Sequence, residues 1–322
     1  MNDVENNHQE ETNTNNLPTT KKVSPPAIDK TLILLIGGWY VSSAITTNTS
    51  KILELPGTTL TFCQMFISTI CAALGIIVFK LNDVGGIPRI FPTEKAAFMT
   101  IVLSLVFCGG LITLNASIGS MHVSTVMTLR AAEPVSTWLF SIVLLPKEET
   151  SCNALLCLIP IVLGAGLSAI APGTNVNVHG FALVVVCNVF FSLRTIITKL
   201  LKKANKDIDN YTLFFQLCVL GSIWQGIILV TLGVESLKQV ANYPLLLLNG
   251  FTFYLYLQLS WIVMSKVGAV THSVCNSLRR PFICSAGWFV FGGITWEGIA
   301  GVLVATGGTM LYAMEKRKEI KR

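Results

Sequence analysis

THSVCNSLRRPFICSAGWFVF, residues 271–291, is long and apolar enough to lie in a lipid bilayer, yet it carries two adjacent arginines, Arg279 and Arg280, near its middle. A helix needs about 20 residues to cross a hydrocarbon core roughly 30 Å thick. Working outward from this stretch, runs of that length recur at 31–53, 57–79, 96–118, 121–145, 152–170, 180–201, 211–232, 244–265, 268–292 and 294–314. The composition points the same way: over 322 residues, 52% are hydrophobic and 12% charged, and the mean hydropathy is +0.64. Such a chain is too poor in surface charge for an ordinary soluble domain. The expected fold class is an all-α polytopic membrane protein with ten transmembrane helices.

The loop charges orient these spans. Ten crossings put the N-terminal tail, the even-numbered loops and the C-terminal tail on one side. That side holds Lys21, Lys22, Lys30, Lys80, Arg89, Lys95, Lys147, Lys202, Lys203, Lys206, Lys266, Lys316, Arg317, Lys318, Lys321 and Arg322, against only Lys51 and Lys238 opposite. Cytoplasmic loops collect Lys and Arg, so both termini are expected in the cytosol. Five helices per half is an odd number, which turns the second half upside down relative to the first. The expectation is two inverted five-helix repeats, 31–170 and 171–314, flanked by tails 1–30 and 315–322. Inverted repeats of this kind place a binding site at their interface. A faint internal echo fits: Thr128-Leu129-Arg130 recurs 149 residues on as Ser277-Leu278-Arg279, and Lys51 and Lys199 are 148 residues apart.

Five basic residues fall inside predicted spans: Arg130, Arg194, Lys199, Arg279 and Arg280. Glu133 is the sole acid well inside one, with Glu297 near an end. A charge at mid-bilayer costs several kcal/mol, so such groups face a bundle interior or a wet cavity. Excess buried cation favours an anionic ligand, and the planar guanidinium suits phosphate because it donates two parallel charge-assisted bonds. Arg279 lies 11 residues beyond Gly268, about 16 Å into the bilayer and close to its midplane. Pro281 removes a backbone donor, so the helix is expected to bend or open beside the two arginines.

Other chemistry finds little footing. The nine cysteines form no C-x-x-C pair, the four histidines are isolated, and there is no HExxH motif or Walker A loop. No enzyme, metal, cofactor or nucleic acid is expected; the partners are an anionic small molecule and the bilayer. The stretch MNDVENNHQEETNTNN reads as a disordered cytosolic tail, unlike a signal or transit peptide. An endomembrane, Golgi or ER, is the expected location, with the outermost membrane of a plastid as the other option.

Four segments carry a family likeness: GWYVSSAITTNTSK (38–51), TLRAAEP (128–134), FFSLRTIITK (190–199) and THSVCNSLRRPF (271–282). Together they resemble the triose-phosphate and nucleotide-sugar transporters of the drug/metabolite transporter superfamily, over about 32–316. The resemblance implies an antiporter of phosphorylated metabolites whose phosphate is held by Lys199, Arg279 and Arg280, assisted by Tyr256. Arg279 replaces the family's usual lysine, and Ser43, Thr47 and Ser50 stand where first-helix asparagines are usual. A nucleotide-sugar antiporter is the nearest alternative; a membrane scaffold or receptor on the same fold is the alternative from another class. Lys51, Arg130, Glu133 and His272 are candidates for a gate or for supporting the site. Their plainer readings are a lysine reaching for the interface, an i,i+3 ion pair, and a histidine at a helix start. Arg194 is expected to pack against backbone carbonyls, and Tyr256 could equally be core with Tyr254 and Trp261.

Overall fold

The computed structural model describes residues 30–80, 94–144, 153, 156–170, 176–204, 209–232, 235–238 and 240–321. Residues 1–29 of the expected N-terminal tail, and the loop residues Arg89, Lys147 and Lys206, lie outside them. The described residues form α1 (Lys30–Ile52), α2 (Gly57–Ile77), α3 (Glu94–Ser120), α4 (Val123–Leu129), a 3-10 turn (Arg130–Ala132) and α5 (Glu133–Leu144). There follow α6 (Leu158–Ala169), α7 (Val178–Ala204), α8 (Asn210–Leu232), the short α9 (Glu235–Lys238), α10 (Tyr243–Phe291) and α11 (Trp296–Lys321), with no strand among the described residues. The chain is an all-helical, multi-pass membrane protein.

Among the described residues, six segments are long and apolar enough to cross a membrane: Gly57–Ile77, Glu94–Ser120, Val178–Ala204, Asn210–Thr231, Tyr243–Met264 and Trp296–Glu315. Three of the other four expected spans, the first, fourth and ninth, depart from that pattern for a visible reason. Helix α1 is long enough but buries Ser42, Ser43, Thr46, Thr47, Asn48, Thr49 and Ser50. Many of these side chains satisfy themselves by donating to carbonyls one turn back, as Thr46 does to Ser42 and Thr47 to Ser43, both at 2.9 Å. The fourth span is broken at Arg130–Ala132 and the ninth carries the arginine pair, while the fifth holds α6 among its described residues. Helix α11 runs on to Lys321, so most of the expected C-terminal tail extends it.

Two backbone features shape the interior. The helix assigned to 121–145 is interrupted because Pro134 has no N–H to give the Arg130 carbonyl; the Glu133 N–H, one residue earlier, bonds that oxygen instead. An i,i+3 bond makes a 3-10 turn, in which side chains three apart eclipse, and so Arg130 stands over Glu133. The second feature concerns 244–265 and 268–292, both of which lie within α10, Tyr243–Phe291. A straight helix would hold Ser260 and His272 about 18 Å apart, whereas Ser260 Oγ and His272 Nε2 are 2.9 Å apart. The chain therefore reverses between them, giving two antiparallel limbs. Pro281 does not open the second limb, through which the helix continues.

Helix α1 lies against both limbs of α10. Near its Ile52 end Thr46 Oγ1 bonds Thr252 Oγ1 at 2.8 Å, and Asn249 Nδ2 donates to the Thr46 carbonyl at 2.9 Å; nearer Lys30, Tyr40 Oη donates to the Cys275 carbonyl. The other main pairings are α3 with α7, α2 with α8 and α6 with α11. The last is a backbone-to-backbone approach: a Cβ on Gly164 would stand 2.4 Å from the Ala305 nitrogen, and one on Gly301 2.7 Å from that of Ser168. Gly292 and Gly293, with φ of 71° and 78°, turn the chain from α10 into α11.

Candidate functional site

The 3-10 turn, α7 and both limbs of α10 converge on a cavity of about 150 Å³. Arg130, Glu133, Arg194, Tyr256, His272, Asn276, Arg279 and Arg280 line it, with Phe107 and Phe191 among its apolar walls. Four arginines thus share one space with a single carboxylate among the described residues. Glu133 Oε2 accepts from Arg130 Nη2 at 3.1 Å and from Arg280 Nη2 at 3.5 Å. The side chains of Arg130 and Arg280 are each 13% exposed, and that of Glu133 is 20% exposed.

Aromatic faces carry much of the remaining charge. Arg279 lies over the rings of Trp39 and Tyr256, at 5.4 and 5.5 Å, and donates to Ser43 Oγ at 2.9 Å. Arg130 lies 4.4 Å from the Phe191 ring centre, and Arg194 lies 4.9 Å from Phe191 and 5.4 Å from Phe107. A ring quadrupole stabilises a cation without bringing a counter-charge that an incoming anion must displace. Arg130 Nε, Arg279 Nε and Arg280 Nη1 are buried with no hydrogen-bond partner. A buried donor left unsatisfied costs on the order of 1–3 kcal/mol, so an anion entering here meets donors already stripped of water.

A smaller cavity of about 40 Å³ shares Arg130, Tyr256 and Arg279 with the first; its other polar lining is Ser43, Thr46, Thr47, Ser50, Gln64 and Asn115, beside apolar side chains such as Phe253 and Ile118. Amide and hydroxyl bonds knit its walls together. Gln64 Nε2 donates to Asn249 Oδ1 at 2.9 Å, Asn115 Nδ2 to Gln64 Oε1 at 2.9 Å, and Asn249 Nδ2 to Ser50 Oγ at 3.0 Å. Helices α1, α2, α3 and the first limb of α10 are tied together on that side of the arginines.

Arg279, Arg280 and Tyr256 line the larger cavity, and so do Arg130, Glu133 and His272. Lys199 does not: it is exposed near the end of α7, and Arg194 takes the place on that helix. Five residues separate them, about 7.5 Å along the axis and 140° around it, so on a straight helix the two point well apart. Arg194 is thus a cavity residue stacked on rings, where the sequence suggested packing on carbonyls. His272 stacks on Trp39, with centroids 4.9 Å apart, in addition to its contact with Ser260. Lys51 stays at the far end of α1, where Nζ donates to the Gly119 carbonyl at 2.7 Å. Trp39, Asn276 and the Phe107–Phe191 platform were not foreseen; the Phe191–Arg194 spacing of three on a helix was the one available signal.

Residues 30–313 match the Triose-phosphate Transporter family. The chain belongs to that family. Among its relatives, phosphoenolpyruvate/phosphate translocator 1, chloroplastic, from Oryza sativa subsp. japonica is 29% identical over 272 residues, covering 79% of this chain and 65% of its own. Triose phosphate/phosphate translocator, chloroplastic, from Flaveria pringlei is 26% identical over 270 residues, covering 79% and 64%. The chain therefore spans just under two thirds of the length of these two relatives. A crystal structure overlaps 89% of this chain and 96% of its own with a TM-score of 0.52; at 14% identity the likeness is one of fold.

Proposed function

We propose that this family member is a secondary antiporter, exchanging phosphorylated small metabolites for phosphate or another organic phosphate by alternating access. The observation that carries the reading is the cavity with four arginines, one carboxylate and three buried guanidinium nitrogens without partners. A dianionic phosphate supplies the missing charge and acceptors, and an empty site leaves cations uncompensated in a low dielectric, which disfavours return without cargo. Arg130, Arg279 and Arg280 hold the phosphate, Tyr256 borders it, and Arg194 faces the rest of the substrate. The relatives named as phosphate translocators support this assignment.

Two inverted five-helix halves are the architecture that fits this reading. Under a repeat that exchanges the first five spans with the last five, the pairing of α1 with the first limb of α10 maps onto that of α7 with α3. The pairings of α2 with α8 and α6 with α11 map onto themselves. All of these are among the contacts that hold the bundle together, and they support halves that rock about the cavity. Both termini are assigned to the cytosol from the loop charges. The names of these two relatives, both chloroplastic, favour the plastid over the Golgi or ER reading.

The test is counter-exchange in proteoliposomes preloaded with phosphate, triose phosphate, phosphoenolpyruvate, or hexose and pentose phosphates, with labelled phosphate outside. Uptake is expected only against a phosphorylated partner, and Arg280→Ala is expected to abolish it. Exchange restricted to nucleotide sugars against nucleoside monophosphates, or undiminished uptake by the variant, overturns the assignment.

A further inference from the structure

Glu133 is the one carboxylate lining the larger cavity among the described residues, and its Oε2 sits between guanidinium groups contributed by two different elements, Arg130 of the 3-10 turn and Arg280 of the second α10 limb. Towards a guanidinium, a carboxylate oxygen and a phosphate oxygen are equivalent acceptors. We infer that Glu133 is an internal competitor for the transported anion: its carboxylate holds the phosphate's place in the empty site and is displaced when substrate binds. The inference rests on the anion-exchange reading above.

Three observations distinguish a movable carboxylate from a fixed structural pair. The Glu133 backbone is anchored separately, its carbonyl accepting from Thr137 Oγ1 at 3.0 Å and from Ser192 Oγ at 3.2 Å, so the side chain can swing while the main chain stays. The bridge leaves Arg130 Nε and Arg280 Nη1 without acceptors, so it satisfies the pair only in part. Arg279 donates to Ser43 Oγ and not to Glu133, and is ready to receive an anion before the bridge opens. A site that must first lose an internal partner binds with an affinity reduced by the fraction of time it is open. The same partner speeds release, because Glu133 reclaims the two arginines as phosphate leaves. Glu133 is on this account a positioning residue that sets turnover by limiting how tightly the anion is held.

The experiment compares wild type, Glu133→Gln and Glu133→Asp in phosphate/phosphate homo-exchange, with half-saturation and maximal rate measured separately. Removing the competitor is expected to lower the half-saturation concentration about tenfold in Glu133→Gln, the shift for a bridge closed nine-tenths of the time, and to lower the maximal rate with it. Glu133→Asp keeps the charge on a stem one methylene shorter, and is expected to shift half-saturation the same way by less. Unchanged or raised half-saturation in both variants overturns the inference. If the Gln variant is not recovered monodisperse, the Asp variant decides by the same criterion. Should wild type exchange no phosphate, the transport reading fails separately; the midpoint of phosphate-dependent thermal stabilisation in detergent then tests Glu133, and a midpoint that does not fall in the variants overturns its role.

Discussion

Arg279 shows how a cation is kept in a bilayer without being cancelled. Its guanidinium lies over the rings of Trp39 and Tyr256 and donates to Ser43 Oγ. Lysine at this position retains the charge but loses the planar fork and the stacking, each worth on the order of 1 kcal/mol. Arg279→Lys is therefore expected to lower kcat/KM for phosphate exchange by at least about tenfold while leaving the protein folded, as thermal melting in detergent will verify. Lys199→Ala, by contrast, is expected to change the half-saturation for phosphate by less than about twofold, since Lys199 is exposed outside both cavities; a larger loss in the same assay shows that the cavity described here is not the whole site. The arginine pair was legible in the sequence because two adjacent cations in an apolar run have few explanations. The choice between Arg194 and Lys199 was not, because it depends on where α7 sits along its axis, and a motif of matching residues does not record that.

The two prolines near the cavity make the same point about helices. Pro281 was expected to disrupt its helix and leaves it continuous, whereas Pro134, which drew no such expectation, is the one at which α-helical bonding gives way to a 3-10 turn. The missing Pro134 N–H transfers the Arg130 carbonyl to Glu133 and thereby eclipses the two charged side chains that meet in the cavity. Pro134→Ala restores the donor, permits an α-helical bond, and turns Glu133 away from Arg130 by about 60°. The expected outcome is a melting temperature no lower than wild type together with loss of most exchange activity, measured on the same preparation. Span positions could be predicted because an apolar run of about 20 residues is itself the physical requirement. The reversal within α10 was legible too, because Lys266 beside Gly268 reads as a loop between two antiparallel spans.

Taken together, the helices enclose an interior whose charge is unbalanced by design of sequence: four arginines face one acid across about 150 Å³, while hydroxyls and amides line the smaller space beyond Arg279. The α10 reversal bears on how that interior is assembled. On insertion scales two central arginines cost about 6 kcal/mol, and the seven Val, Leu, Ile and Phe residues of 271–291 return only about 3. The second limb on its own should thus be rejected by the translocon, while the first, Tyr243–Met264, is apolar enough to enter unaided. Fused to a reporter with engineered glycosylation acceptors, 268–292 alone is expected to fail to span microsomal membranes, and 243–292 is expected to insert as a hairpin. A limb too polar to board by itself must travel with its neighbour, so the arginines that serve the cavity also make membrane insertion of this region a concerted step, and a nascent chain stalled between the two limbs becomes a substrate for quality control.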